Sequence, residues 1–149
     1  MKMKNEISSG GIVFKKKGDK TYWLIVQHSQ HKGWVFPKGL VGDEEIQESK
    51  EKAALREVNE EGGVKTKIVY KEPIKTQYTY RFKDMLIKKD VYYFLMEYIS
   101  GDPKNHDWEI SNAKFVTKEE AIKTLTYKTD REAFEKALLI YSSGAGEGN

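Results

Sequence analysis

Residues 42–64 read GDEEIQESKEKAALREVNEEGGV, the most informative stretch of the chain. Glu57, Glu60 and Glu61 stand at positions i, i+3 and i+4, so a helix places their side chains on one face. Three carboxylates held this close repel one another unless a cation lies among them. Carboxylate oxygens are hard ligands, so the pattern predicts a site for Mg²⁺ or Mn²⁺ rather than for zinc.

A second interpretation of the same stretch is a Lys/Glu-rich surface helix, stabilised by ion pairs between residues four positions apart. It accounts for Lys50, Glu51 and Lys52, but it does not account for clustered acids that are followed by Gly-Gly. The metal site is therefore the favoured interpretation.

The spacing of this stretch resembles the signature of the Nudix hydrolases. Val58 and Val64 fill its two aliphatic positions. In many relatives the first glycine belongs to a Pro-Lys-Gly triplet, which here ends earlier, at Gly39. We therefore expect a longer loop over residues 39–47, with either Gly39 or Gly42 in the family's role. The fixed positions that match are Gly42, Glu48, Arg56, Glu57, Glu60, Glu61 and Gly63.

The resemblance implies a metal-dependent enzyme that cleaves a nucleoside diphosphate linked to another group. It implies that Glu57, Glu60 and Glu61 bind Mg²⁺ or Mn²⁺, with Glu57 also a candidate to activate water. Arg56 would orient the loop and helix through an ion pair with Glu48. Glu60, four positions along the helix, is an alternative partner for Arg56.

Some members of the family use a further carboxylate outside the signature as general base. Glu109, in the segment HDWEI, resembles such a residue in position, and Asp107 and Glu97 are alternatives. An ordinary acidic residue at the start of a strand is the competing interpretation of Glu109.

The remainder of the chain, from about residue 7 to 140, resembles the diadenosine tetraphosphate hydrolases of this family, which release ATP and AMP. A pyrophosphohydrolase for nucleoside triphosphates, RNA 5′ ends or ADP-ribose is a second possibility. A non-catalytic Nudix-fold module that binds nucleotides is a third, and the complete set of signature carboxylates argues against it.

Basic and aromatic side chains supply the expected contacts with a nucleotide. Lysines and a histidine can donate hydrogen bonds to phosphate oxygens, and Lys88 is an alternative to Lys89 for this contact. Tyrosine rings offer surfaces on which adenine can stack. Core packing or cross-strand pairing is the competing explanation for each ring, including that of Phe82. His28 and His106 are interpreted as a strand and a loop residue. The predicted substrate contacts are Lys38, Gly39, His31, Tyr78, Tyr80, Lys89 and Tyr127.

Composition limits the class of protein. The chain has 149 residues, no cysteine and a net charge of +3, which predicts one domain over residues 1–141 without disulfides. Residues 142–149 are small, polar and Gly-rich, and we expect a disordered tail there. The first residues lack the apolar core of a secretory signal, so we expect a cytoplasmic protein. We also expect a monomer or homodimer that has no membrane partner. Basic patches are too sparse to predict nucleic-acid binding, an RNA 5′ end excepted.

Strand and helix patterns predict an α+β domain. Gly10-Gly11 in the first strand marks a bulge or a close backbone approach. The resemblance sharpens this prediction to a Nudix-type α/β/α sandwich with a mixed β-sheet and the signature loop and helix. The expected elements are a hairpin of residues 7–17 and 22–28, a short strand before Pro37, a helix ending near Glu61, a strand 65–74, a hairpin of 78–82 and 86–99, a strand 109–116, and helices 118–124 and 130–141 capped by Thr117 and Asp130.

Overall fold

A mixed sheet of eight strands forms the framework of the part of the chain that the structure covers. The computed structural model describes residues 2–42 and 47–144. The strands are β1 (Lys2–Lys17), β2 (Lys20–His28), β3 (Trp34–Val35), β4 (Lys38–Leu40), β5 (Val64–Ile68), β6 (Ile74–Phe82), β7 (Met85–Gly101) and β8 (Ile110–Val116). The helices are α1 (Lys50–Gly62), α2 (Lys118–Thr124) and α3 (Lys128–Ser142), with a short 3-10 helix at Pro103–Asn105.

The two long strands β1 and β7 run parallel to each other at the centre of the sheet, in register from Lys2 opposite Met85 to Phe14 opposite Glu97. All other pairings are antiparallel: β2 and β4 with β1, β5 and β6 with β7, and β3 and β8 with β2. Both predicted hairpins are confirmed, as β1–β2 and β6–β7. The central place of β7 follows from its run of β-branched and aromatic residues.

Helices cover both faces of the sheet because residues on a strand alternate between faces. Ile12 and Phe14 of β1 pack with Phe134 of α3 on one face. Val13, between them, packs with Val58 of α1 on the other face. The predicted α+β architecture with a mixed sheet between helices is confirmed.

Helix α1 carries the signature residues and ends where the sequence predicts. Ser49 caps its start by accepting a hydrogen bond from the amide of Lys52. Gly63 adopts a left-handed conformation after its last turn, with φ of 72°, and its amide donates to the carbonyl of Asn59. Val58 is fully buried against the sheet, and the signature residues Glu57 and Glu61 are also buried.

Several boundaries differ from the prediction. The strand predicted over residues 65–74 ends at Ile68, and Ile74, after Pro73, begins β6. Glu109 precedes β8 rather than beginning it. The prediction of Asp130 as a helix cap is wrong: α3 begins two residues earlier after Tyr127. The buried carboxylate of Asp130 accepts a hydrogen bond from Tyr93 instead, and this tertiary contact outweighs the local preference of aspartate for a cap.

The predicted tail and loop are only partly covered. Helix α3 continues through Ser142, the first residue of the expected tail. Residues 145–149 lie outside the described residues, as do residues 43–46 of the loop expected to be longer. None of the helices in the described parts of the chain has the length and apolar character needed to cross a membrane.

Candidate active site

A cavity of about 930 Å³ gathers nearly every side chain that the sequence singled out. It lies between the end of α1, strands β4, β6 and β7, and the first turn of α3. Arg56 and Glu48 are the predicted residues that do not line it. The lining residues are His28, His31, Val35, Lys38, Gly39, Leu40, Glu57, Glu60, Glu61, Tyr78, Tyr80, Lys89, Glu109, Tyr127, Lys128, Thr129 and Asp130.

Arg56 lies behind the cavity and contacts both of its predicted partners. Its Nε and Nη2 donate to the two carboxylate oxygens of Glu48, at 2.7 and 3.0 Å. Its Nη1 donates to Glu57 at 2.9 Å and lies 3.4 Å from Glu60. The hydrogen bond to Arg56 lowers the pKa of Glu48, against the opposing effect of burial. The fork-shaped pairing therefore fixes the loop residue Glu48 to the middle of α1.

Both candidate glycines have a role in this arrangement. The amide of Gly42 donates to Glu48 at 3.2 Å, which holds the start of the loop against the Arg56–Glu48 pair. A Cβ atom at position 39 would overlap with the carboxylate of Glu57. The sequence left open which of the two glycines takes the family's role, and in the structure Gly42 contacts Glu48 while Gly39 lies against Glu57.

Glu61 is buried, as is Glu57, with exposed fractions of 7% and 6%. One of its oxygens accepts a hydrogen bond from the amide of Lys38 at 3.1 Å. Burial raises the pKa of Glu61 to about 8, and the negative charges of Glu57 and Asp107 add to that rise. A cation beside such a carboxylate favours its ionised form, so this environment suits a bound metal ion.

The donor chemistry of this wall fits a divalent cation. Glu57, Glu60 and Glu61 offer only hard carboxylate oxygens, which Mg²⁺ and Mn²⁺ prefer. In the present side-chain conformations, no group of three or more His, Asp or Glu side chains among the described residues converges closely enough to hold a metal ion. Because Glu57 and Glu60 face Arg56, a cation that binds them must compete with its guanidinium.

Of the three carboxylates considered as general base, Glu109 lies in the cavity wall. Its position is fixed by its own backbone, whose carbonyl accepts from the amide of Ser29 at 2.9 Å. The neighbouring Asp107 donates its amide to the carbonyl of Glu60 at 2.8 Å, which ties this segment to α1. Glu97 instead lies 3.7 Å from Lys67 on β5, away from the cavity.

Two lysines of the sheet supply positive charge to the cavity, in addition to Lys128 of α3. Lys38 enters from β4 and Lys89 from β7, whereas Lys88 points to the other face of the sheet and is exposed. Burial lowers the pKa of Lys89, and the charge of Lys38 lowers it further. The carboxylate of Glu6 lies 3.8 Å from the ammonium of Lys89 and partly compensates its charge. Of the two lysines left open by the sequence, Lys89 faces the cavity.

Tyrosine and histidine rings form the remaining walls. Tyr78 and Tyr80 are neighbours on one face of β6, with ring centroids 6.1 Å apart. The hydroxyl of Tyr127 lies 3.2 Å from Nδ1 of His31, and the rings of His31 and His28 stack at 4.3 Å. His28 thus reaches the cavity, although the sequence suggested only a strand residue.

The sequence missed the first turn of α3. Lys128, Thr129 and Asp130 line the cavity beside Tyr127, but Asp130 near the start of a predicted helix resembles a cap. Phe82, which belonged to the aromatic residues considered for stacking, does not line the cavity and is largely exposed. A second groove of about 890 Å³, between β2 and helices α2 and α3, contains none of the predicted site residues.

Comparisons with known proteins agree with the fold and the signature. The family model described as the NUDIX domain matches residues 4–137. A curated protein of Mycobacterium tuberculosis, named putative mutator protein MutT4, is 26% identical over 143 residues, which is 92% of this chain and 56% of that relative. This chain therefore spans little more than half of the length of that relative.

Solved structures share the fold. A C. elegans Ap4A hydrolase in a binary complex has a TM-score of 0.73 and 24% identity, covering 91% of this chain and 98% of that one. The NUDIX domain of Shewanella oneidensis NrtR, complexed with ADP ribose, has a TM-score of 0.65 and 18% identity, covering 93% and 89%. Nudix hydrolases generally use divalent metals. Because the family model covers most of the chain, this protein belongs to the Nudix hydrolase family, whose enzymes act on pyrophosphate bonds.

Proposed function

We propose that this enzyme is a Mg²⁺- or Mn²⁺-dependent hydrolase of a nucleoside diphosphate-linked substrate, and that it splits diadenosine tetraphosphate into ATP and AMP. One observation carries the proposal: a single cavity combines the carboxylates of α1, three lysines and three tyrosine rings. These are the groups that a metal-bound polyphosphate with an attached nucleoside requires. The structural likeness to a protein named Ap4A hydrolase supports the choice of substrate.

We assign each residue a role that suits its position. Glu57, Glu60 and Glu61 would hold the divalent cation, which when bound would neutralise the polyphosphate and lower the pKa of the attacking water. Glu109 accepts the proton of that water as general base. The water oxygen bonds to one phosphorus, and the bridging P–O bond breaks with its electron pair leaving on the departing phosphate. Lys38 donates to the phosphate oxygens.

The Arg56–Glu48 pair positions α1 and does not touch the substrate. Lys89 lines the same cavity as Lys38. Its positive charge helps to balance the negative charge of the phosphates. Tyr78, Tyr80 and Tyr127 offer stacking surfaces for adenine, each worth about 1–3 kcal/mol per base in nucleic-acid binders.

A second candidate activity is the hydrolysis of nucleoside triphosphates. ADP-ribose is a third substrate worth testing, since one structural relative is a complex with it.

Substrate comparison tests the proposal directly. Purified enzyme with Mg²⁺ is assayed for kcat/KM on diadenosine tetraphosphate, the dNTPs, ADP-ribose and triphosphorylated RNA. We expect the dinucleotide to be the best substrate and ATP and AMP to be its products. A preference for a dNTP would establish the second candidate instead. Nucleotide binding without turnover of any substrate would identify a non-catalytic module.

A further inference from the structure

Asp130 is a buried carboxylate in the cavity to which the mechanism above assigns no task. Asp130 is only 5% exposed, yet it lines the cavity. The hydroxyl of Tyr93, itself fully enclosed by the core, donates to Oδ1 of Asp130 at 2.9 Å. This contact joins the first turn of α3 to the central strand β7.

The hydrogen bond from Tyr93 leaves most of the acceptor capacity of this carboxylate unused. An ionised carboxylate has about four lone-pair positions, and within the described residues Tyr93 is the one side chain that donates to it. Burial raises the pKa of Asp130, even though Lys38 and the Tyr93 hydrogen bond lower it. A buried carboxylate in this condition gains from any further donor that enters the cavity.

The neighbours of Asp130 are suited to a nucleobase. Asp130, Tyr78 and Tyr127 line the same cavity, and Tyr127 immediately precedes the first turn of α3, which contains Asp130. Burial raises the pKa of Tyr78 to about 12, and the negative charge of Asp130 adds to that rise. Phosphate is disfavoured next to a negative charge, so the group that meets Asp130 must be a neutral or cationic donor.

We propose that Asp130 selects the nucleobase by accepting a hydrogen bond from its exocyclic amino group while the base stacks against Tyr78 and Tyr127. The inference rests on the proposed function only in requiring a nucleotide substrate, and it does not depend on which phosphate bond is cleaved. Adenine offers a 6-amino group, a donor. Hypoxanthine has a carbonyl oxygen at the same place, and a carboxylate repels it.

Asp130→Asn tests this inference with little change of shape. The amide oxygen can still accept from Tyr93, while the amide nitrogen presents donors where the carboxylate presented an acceptor. The ratio of kcat/KM for diadenosine over diinosine tetraphosphate is expected to fall by about 10- to 100-fold, the effect of one hydrogen bond to a charged group. Tyr93→Phe is the matched control, and it should keep the ratio because the carboxylate remains.

Thermal melting of both variants separates a stability effect from a selectivity effect. An Asp130→Asn enzyme that is slower but keeps the wild-type ratio would overturn the inference and assign Asp130 a purely structural task. A ligand-side comparison needs no variant: wild-type protein should bind AMP more tightly than purine riboside monophosphate, which lacks the amino group.

Equal affinities for those two nucleotides would also overturn the inference. Because this comparison measures binding by calorimetry, it applies even if diadenosine tetraphosphate is not a substrate. Failure of the proposed function is seen separately, in the substrate comparison.

Discussion

Replacing Arg56 by methionine is the substitution whose effect on stability follows most directly from the structure. The guanidinium pairs with Glu48 at 2.7 Å and with Glu57 at 2.9 Å. The three side chains are 16%, 3% and 7% exposed, so water replaces little of the lost interaction. Methionine retains much of the apolar stem of arginine, and the change mainly removes the charge.

The expected cost comes from leaving the Glu48 and Glu57 carboxylates buried without the Arg56 guanidinium. Breaking a buried ion pair on one side costs about 3–5 kcal/mol, and the partial exposure of Arg56 favours the lower end. A loss of about 3 kcal/mol lowers the melting temperature of a domain of this size by about 6–12 °C. That is a large fraction of a typical stability of about 5–15 kcal/mol.

Calorimetry and urea unfolding of Arg56→Met measure this loss. Arg81→Met is the matched control because Arg81 is exposed near the end of β6; its effect should stay within about 0.5 kcal/mol. If both variants melt at the same temperature, the Arg56 pairings do not stabilise the fold and the reasoning is refuted.

Three further predictions concern the pH dependence of stability, the steric effect of replacing two glycines, and proton transfer by Glu109. Arg56 lowers the pKa of Glu48 below 4.5. The pair therefore stabilises the fold above that pH, and its contribution is lost as the pH falls through the pKa of Glu48 in the folded protein. Glu48→Gln should flatten the acid side of the curve of stability against pH. Gly39→Ala places a methyl group onto a signature carboxylate and should reduce kcat, whereas Gly10→Ala meets the backbone of residue 37 and should reduce stability. Glu109→Gln should lower kcat by roughly 10²–10⁴.

Each of these has a contradicting outcome. An unchanged acid slope in Glu48→Gln removes the pair as a source of pH dependence. Full activity in Gly39→Ala shows that Glu57 does not need its observed position. Glu97→Gln, outside the cavity, is the control for Glu109, and equal rates in the two variants would give the role of base to another group.

Local patterns predicted the elements whose causes are local. Helix α1 follows from its periodicity, the cap of α2 from Thr117, whose side chain accepts from the amide of Glu120, and the hairpins from their turns. The spacing of Glu57, Glu60 and Glu61 placed them on one wall of a cavity, as expected from helical geometry.

Contacts between residues distant in sequence were beyond such reasoning. The parallel pairing of β1 with β7 joins segments about 80 positions apart, and nothing local encodes its register. The local sequence predicts a cap at Asp130 because its partner Tyr93 lies 37 positions away.

Binding of Mn²⁺, followed by the electron paramagnetic resonance of the free ion, tests the central claim that the acids of α1 hold a divalent cation. Each of Glu57→Gln, Glu60→Gln and Glu61→Gln should weaken binding by about tenfold or more while the protein stays folded, as one ligand charge is lost. Glu51→Gln, an exposed position on the same helix, should bind as the wild type does. Wild-type affinity in all three signature variants would contradict the assignment of the metal site.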